Sequence, residues 1–208
     1  MDRQVRTTAR KRPRQDRSRE TVSAILEATA RILVKRGYDG LTTNAVAAAA
    51  GVSIGSLYQY FSNKTALVSA LIDHHIEEMN ASVLAELARV AKLPIAQAAR
   101  CVIELTIRAH AIDPELHRVL TEQVPRVGKL ARLRELEEIS SRMVAGLLVA
   151  RRHELAIRDP DMAAFILVST IEAIVHRAAL LYPHRLRDPS LVDEATLLVT
   201  RYLGVAPN

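Results

Sequence analysis

The sequence predicts an all-α chain, and three observations carry that prediction. Apolar residues make up 49 % of the 208 positions, yet only 7 residues are aromatic and 15 are Gly or Pro. This balance suits helices packed through Ala, Leu, Val and Ile. Apolar residues recur at alternating spacings of three and four along most of the chain. Finally, Asp-Pro occurs at Asp113-Pro114, Asp159-Pro160 and Asp188-Pro189. Asp is a favoured N-cap, and Pro at the first helical position loses no hydrogen bond, so each pair reads as a helix start.

Residues 1–19 carry eight Lys or Arg and two Asp, with almost nothing that could pack. They read as a basic, flexible arm over residues 1–17. Structure is expected to begin near Ser18, where Val22, Ile25, Leu26, Thr29, Ile32 and Leu33 share one helical face and Gly37 supplies the stop. Thr43 is the expected cap of a helix through Ala49 that ends near Gly51. Ser53 caps a second helix through Tyr60, and Ser62 or Asn63 a third from Lys64 to about Ala91. The run NAVAAAA is too small to make a hydrophobic face alone, but small side chains let another helix approach closely.

Residues 95, 98, 102, 105, 109 and 112 form one apolar stripe after Pro94. Leu133, Leu136, Met143, Leu147 and Leu148 form another. The segment Met162 to Leu181 is apolar nearly all round and must be covered on most sides. Leu191, Ala195, Leu198 and Tyr202 stripe the last helix, which Gly204 ends. These two final helices carry more apolar surface than one copy can cover. Pairing them across a two-fold axis would make a four-helix bundle, with Phe165, Val168, Ile171, Val175, Leu191, Ala195, Leu198 and Tyr202 as the expected homodimer interface.

Charge is segregated. Residues 1–64 hold 12 Lys and Arg against 5 Asp and Glu, whereas residues 65–208 hold 17 against 18. The basic N-terminal third points to a polyanion. Yet from Gly40 to Asn63 no side chain is charged. Two short helices joined by a Gly-containing turn, here Ala50-Gly51-Val52-Ser53, make a helix-turn-helix. Leu57 and Phe61, four apart, would face the core, turning Ser56, Tyr58 and Gln59 outward and Tyr60 toward the flank. A helix in the major groove reads bases with hydrogen-bonding and apolar groups, while phosphates demand charge. The reading surface can therefore be neutral if cations border it. Lys64 opposes the dipole of the helix it starts, an arrangement that becomes favourable with a phosphate there.

The stretch GLTTNAVAAAAGVSIGSLYQYFSNKTAL resembles the DNA-binding segment of the tetracycline-repressor (TetR) family of transcriptional regulators, over about residues 18–75. Ala-Gly-Val-Ser, Leu-Tyr-x-x-Phe and a lysine three after that Phe carry the resemblance. It implies an all-helical homodimer with a helix-turn-helix head over 18–64 and a larger ligand and dimerisation domain over 65–208. It also implies backbone anchoring by Thr42, Thr43, Tyr60 and Lys64, and base or near-base contact by Asn44, Ser53, Ile54, Gly55, Ser56, Tyr58 and Gln59. Ile54 departs from the polar or basic residue of many relatives. It would meet a thymine methyl or pack inward beside Leu57. By analogy with other basic arms, Arg10, Lys11, Arg12 and Arg14 would enter the flanking minor groove. An unknown small-molecule effector is implied for the C-terminal domain, with Glu104, Arg108, His110 and Gln123 as candidate polar fixtures.

Other chemistry finds little support. His74, His75 and Glu78 lack a convergent ligand set and read as a solvated helix face rather than a metal site. Cys101 falls on an apolar stripe and reads as a core thiol. Arg151 to Glu154 read as a helix-end charge cluster. No phosphate loop or nucleophile elbow is present, so neither enzyme nor cofactor is expected. The N-terminus lacks a secretory pattern. The longest apolar run, Met162 to Ile171, is about half the ~20 residues a membrane span needs, so a cytoplasmic location is expected. The expected function is a regulator, a repressor, released by its effector from a two-fold-symmetric DNA operator. The alternatives are the same fold without an effector, a helical interaction module that has lost DNA binding, and a basic-arm protein that binds membranes or RNA.

Overall fold

The structure, a computed structural model, describes residues 16–122 and 129–205. Arg10, Lys11, Arg12, Arg14 and Gln123 lie outside the described residues, as do the side chains of Leu133 and Leu136. The described residues form α1 (Asp16–Gly40), α2 (Thr43–Ala49), α3 (Ile54–Tyr60), α4 (Lys64–Val90), α5 (Ile95–His110), α6 (Pro114–Glu122), α7 (Lys129–Ala150), α8 (Pro160–Leu181) and α9 (Pro189–Leu203). Single 3-10 turns cover Arg152–Glu154 and Pro183–Arg187, and there is no strand among the described residues.

All three Asp-Pro pairs start helices. The Asp159 carboxylate accepts from the backbone N–H groups of Asp161 and Met162 at 3.0 and 3.1 Å, and Asp188 accepts from that of Ser190 at 3.0 Å. Hydrogen bonds from Ser190 hold the Asp188 carboxyl below the usual carboxylate range, with Arg185 and His184 adding to the effect. As expected, the regular helix of α1 breaks at Gly37. Its backbone swings to φ 69°, ψ 178° there, and helical turns resume to Gly40.

The chain divides into two compact units, Met1–Ile76 with Glu115–Arg132, and Glu77–Pro114 with Leu133–Asn208. The expected boundary after Lys64 differs because the first turns of α4 belong to the core of the first unit. Ala66, Leu67, Val68 and Leu71 are buried there with Ile25 and Leu33 of α1.

In the second unit Ile103 and Ile107 of α5 pack with Leu167, Ile171 and Val175 of α8 and Ala195, Val199 and Leu203 of α9. Three expected interface residues, Ile171, Val175 and Ala195, are thus core residues of a single chain. α5 is covered on more than one side, so its buried residues include Leu105 and Ala109 from the expected stripe, whereas Ile112 is past the helix end and exposed. The last helix ends as expected at Gly204, φ 73°, where the Val205 N–H bonds the Thr200 carbonyl. A Cβ at Gly204 would lie 2.4 Å from Ala156 Cβ.

α8 extends well beyond the apolar run Met162 to Ile171. It is the one described helix long and apolar enough to cross a membrane. One side of it fills the core just described, while Met162, Phe165 and Leu181 are more than half exposed.

Candidate nucleic-acid interface

The interface is built in the first unit on two seven-residue helices, each too short to persist alone. Their ends are fixed by side chains. Thr42, in extended conformation, caps α2 by accepting from the Ala45 N–H at 3.2 Å, one residue earlier than the expected Thr43. Ser53 caps α3 as expected, accepting from the Ser56 N–H at 3.0 Å. The turn between them needs a left-handed residue, and Gly51 supplies it at φ 69°. Nothing crowds a Cβ at Gly51, so the demand there is one of backbone conformation.

Burial of Leu57 and Phe61, at 0 % and 1 % exposure, sets the rotation of α3. It turns Ile54, Gly55, Tyr58 and Gln59 to solvent, with Ile54 and Tyr58 at 38 % and 41 % exposure. Ile54 therefore faces outward and does not pack beside Leu57. Ser53, Asn44 and Thr42 are also exposed, while Ser56 is half-buried with its hydroxyl 2.8 Å from that of Ser53. The hydroxyls of Thr43 and Tyr58 lie 3.1 Å apart, joining the two helices across the turn. Every candidate base-reading residue thus sits on α3, on its cap, or one turn into α2.

The flanks carry the charge. Arg31 of α1 reaches the Ala49 carbonyl at 3.4 Å, a flanking cation absent from the sequence expectation because it comes from another helix. Tyr60 is half-buried, with its hydroxyl 2.9 Å from that of Ser18. Lys64 departs from expectation. Its ammonium donates to the Tyr38 carbonyl at 3.0 Å and lies 4.2 Å from the centre of the Tyr38 ring. These contacts offset its opposition to the α4 dipole without a phosphate. The α4 cap is Asn63, which accepts from the Ala66 N–H at 2.8 Å.

The remaining candidates are placed as follows. His75 is buried in the first unit with its Nε2 3.4 Å from Nδ1 of His117, so His74, His75 and Glu78 do not form one solvated face. Cys101 is half-buried and accepts from the Arg89 guanidinium at 3.2 Å, unlike a core thiol. Arg151 pairs with Glu154 at 2.7 Å. Glu104 pairs with Arg100 at the surface and Arg108 is exposed, so neither faces the core. Of the proposed polar fixtures that are described, His110 alone is buried. Its Nε2 lies 3.5 Å from a Glu172 oxygen. Partial desolvation pushes the Glu172 carboxyl, whose side chain is still 53 % exposed, above its ordinary range, with His110 opposing and Glu137 adding to the rise.

An open groove of about 570 Å³ runs between α8 and α9, lined by Ile174, Leu191, Ala195, Leu198 and Arg201 among others. Phe165, Leu198 and Tyr202 are exposed, and Val168 and Leu191 half-buried.

A capped helix pair presenting an uncharged, hydrogen-bonding face defines a helix-turn-helix DNA-binding head. Residues 25–71 match the family model for bacterial regulatory proteins of the tetR family, and residues 94–203 match the tetracyclin repressor-like C-terminal domain. The second match alone spans more than half of the chain, and the chain belongs to the TetR family of transcriptional regulators. It is 42 % identical over 57 residues to the HTH-type transcriptional regulator YvkB of Bacillus subtilis, covering 27 % of this chain and 30 % of that one. It is 38 % identical over 63 residues to the HTH-type transcriptional repressor KstR of Mycolicibacterium smegmatis, covering 30 % and 31 %. These matches span less than a third of either relative. A TetR-family regulator from Mesorhizobium loti shares the fold with a TM-score of 0.73 at 19 % identity, over 91 % of this chain and 98 % of that one.

Proposed function

We propose that the chain acts in the cytoplasm as a homodimeric repressor that places α3 of each protomer in the major groove of a two-fold-symmetric operator. The carrying observation is the exposed, uncharged face of Ile54, Tyr58 and Gln59, held in place by Leu57 and Phe61 and bordered by cations. Base edges are read by such groups, while the borders grip phosphates. Ile54, facing outward, suits a thymine methyl. Thr42, Thr43, Tyr60 and Lys64 remain the backbone anchors of this reading, although Lys64 must then leave or share the Tyr38 carbonyl. The arm residues Arg10, Lys11, Arg12 and Arg14 add minor-groove contacts.

Dimerisation is read from the exposed Phe165, Leu198 and Tyr202 beside the groove between α8 and α9. The reading helices of the dimer would stand about one DNA turn apart, ~34–36 Å, or a multiple of it. A small-molecule effector that prefers a dimer with another head separation would lower DNA affinity by its differential affinity for the two states.

Selection of bound duplexes from random DNA tests the reading. A palindromic site should emerge, and Tyr58→Ala and Gln59→Ala should each lower its preference over bulk DNA. Recovery of unrelated sequences that both variants bind equally well would refute it.

A further inference from the structure

Three helices of the second unit bring imidazole and carboxylate groups together. His110, near the end of α5, is 5 % exposed. Glu172 and His176 stand one turn apart on one face of α8. Glu137 of α7 accepts a hydrogen bond from Ser169 of α8 at 3.1 Å, which ties it to the same helix. One turn along α7 from Glu137, the Ser141 hydroxyl is buried and has no hydrogen-bond partner among the described residues.

The tautomer of His110 follows from its partner. Nδ1 lies 2.9 Å from the carbonyl oxygen of Thr106. A carbonyl only accepts, so Nδ1 carries the hydrogen and, in the neutral ring, Nε2 presents a lone pair. That lone pair faces Glu172 Oε2 at 3.5 Å. A proton on either group, or a metal cation between them, makes this approach favourable. The His176 ring stands edge-on to His110 with centroids 6.0 Å apart, and the two rings have nitrogens within 4.8 Å of one another.

We infer that His110 Nε2, the Glu172 carboxylate and a ring nitrogen of His176 form a binding site for a divalent transition-metal ion of the Zn²⁺ class. Ligand atoms ~2.0–2.1 Å from a tetrahedral ion lie about 3.3 Å apart, so the His110–Glu172 pair is within a few tenths of an ångström of ligation. Rings that each centre roughly 3.2 Å from a shared ion can be at most about 6.4 Å apart, and the observed pair lies inside that limit. Two imidazoles with one carboxylate select Zn²⁺ and its neighbours over Ca²⁺ or Mg²⁺, which take oxygen ligands. The Thr106 carbonyl supplies the outer hydrogen bond that orients a ligating histidine. Glu137 adds negative potential, and the half-exposed Glu172 gives the ion a path from solvent. The site does not depend on operator binding or on effector control.

The test uses the full chain freed of metal with a chelator. Calorimetric titration with Zn²⁺ should show one ion per chain, and Co²⁺ should give the intense visible bands of a tetrahedral site. His110→Gln and His176→Gln should each weaken Zn²⁺ by 100-fold or more and abolish the Co²⁺ bands, and Glu172→Gln should weaken it by at least tenfold. His153→Gln, at an exposed histidine of the same unit, should change neither. Should His110→Gln fail to fold, His176→Gln and Glu172→Gln carry the test alone. No stoichiometric binding by the parent chain, or binding that survives the His176 and Glu172 substitutions unchanged, would overturn the proposal.

Discussion

The two compact units handle polarity in opposite ways. In the first, the functional surface is polar but uncharged, and the side chains that fix it are wholly apolar, Leu57 and Phe61 above all. In the second, the exposed face of α8 and α9 is apolar, through Phe165, Leu198 and Tyr202. A surface that must exchange hydrogen bonds with base edges needs donors and acceptors without the desolvation cost of full charges. A surface left apolar in one chain calls for another apolar surface to cover it. Under the proposed function, the contrast would give nucleic acid to one unit and a second copy of the chain to the other.

Breaking the first unit from within should have the largest effect. Phe61→Ala should cost roughly 3–5 kcal/mol, measured by denaturant unfolding, and abolish operator binding with it. In the second unit Gly204→Ala should cost roughly 1–3 kcal/mol, because a left-handed backbone and the close Ala156 Cβ both oppose a side chain. Tyr58→Ala sharpens the comparison. It should leave stability within about 0.5 kcal/mol yet lose roughly 1–3 kcal/mol of discrimination between operator and mismatched duplex, measured by competition binding. Leu198→Arg should do the reverse, leaving a folded chain that sediments as a monomer.

Smaller effects belong to the caps. Asp159→Ala should cost about 1 kcal/mol of thermal or denaturant stability. The depressed Asp188 carboxyl contributes stability that is fully present above the ordinary range near pH 4. That contribution is lost as pH falls through its lower folded value, so Asp188→Asn should flatten the acid limb of a melting-temperature profile.

What was legible in the sequence was local. Ser53 capping α3, Asp before Pro at three helix starts and the four-residue step from Leu57 to Phe61 all depend on neighbours within one turn. Thr42 displaced Thr43 as the α2 cap because only Thr42 is extended, and two adjacent threonines offer the same side chain. Ile171 and Val175 read as interface residues in the sequence because a helix apolar on every side gives no signal of which face meets its own chain, and the stripe of the last helix does not say which copy covers Ala195. The partner of Lys64 is a carbonyl 26 residues upstream, and His75 meets His117 from 42 residues away. The gathering of His110, Glu172 and His176 depends likewise on how α5 packs against α8, which no local spacing records.

The hydroxyl pair of Thr43 and Tyr58 has a consequence for the speed and selectivity of docking. The Tyr58 ring is already parked in one orientation, so its rotational freedom is surrendered when the head folds and not when a duplex arrives. In the proposed complex, meeting a base would then be a swap of one hydrogen-bond partner for another. A mismatched site would offer nothing to swap for, and the tyrosine would stay with its threonine.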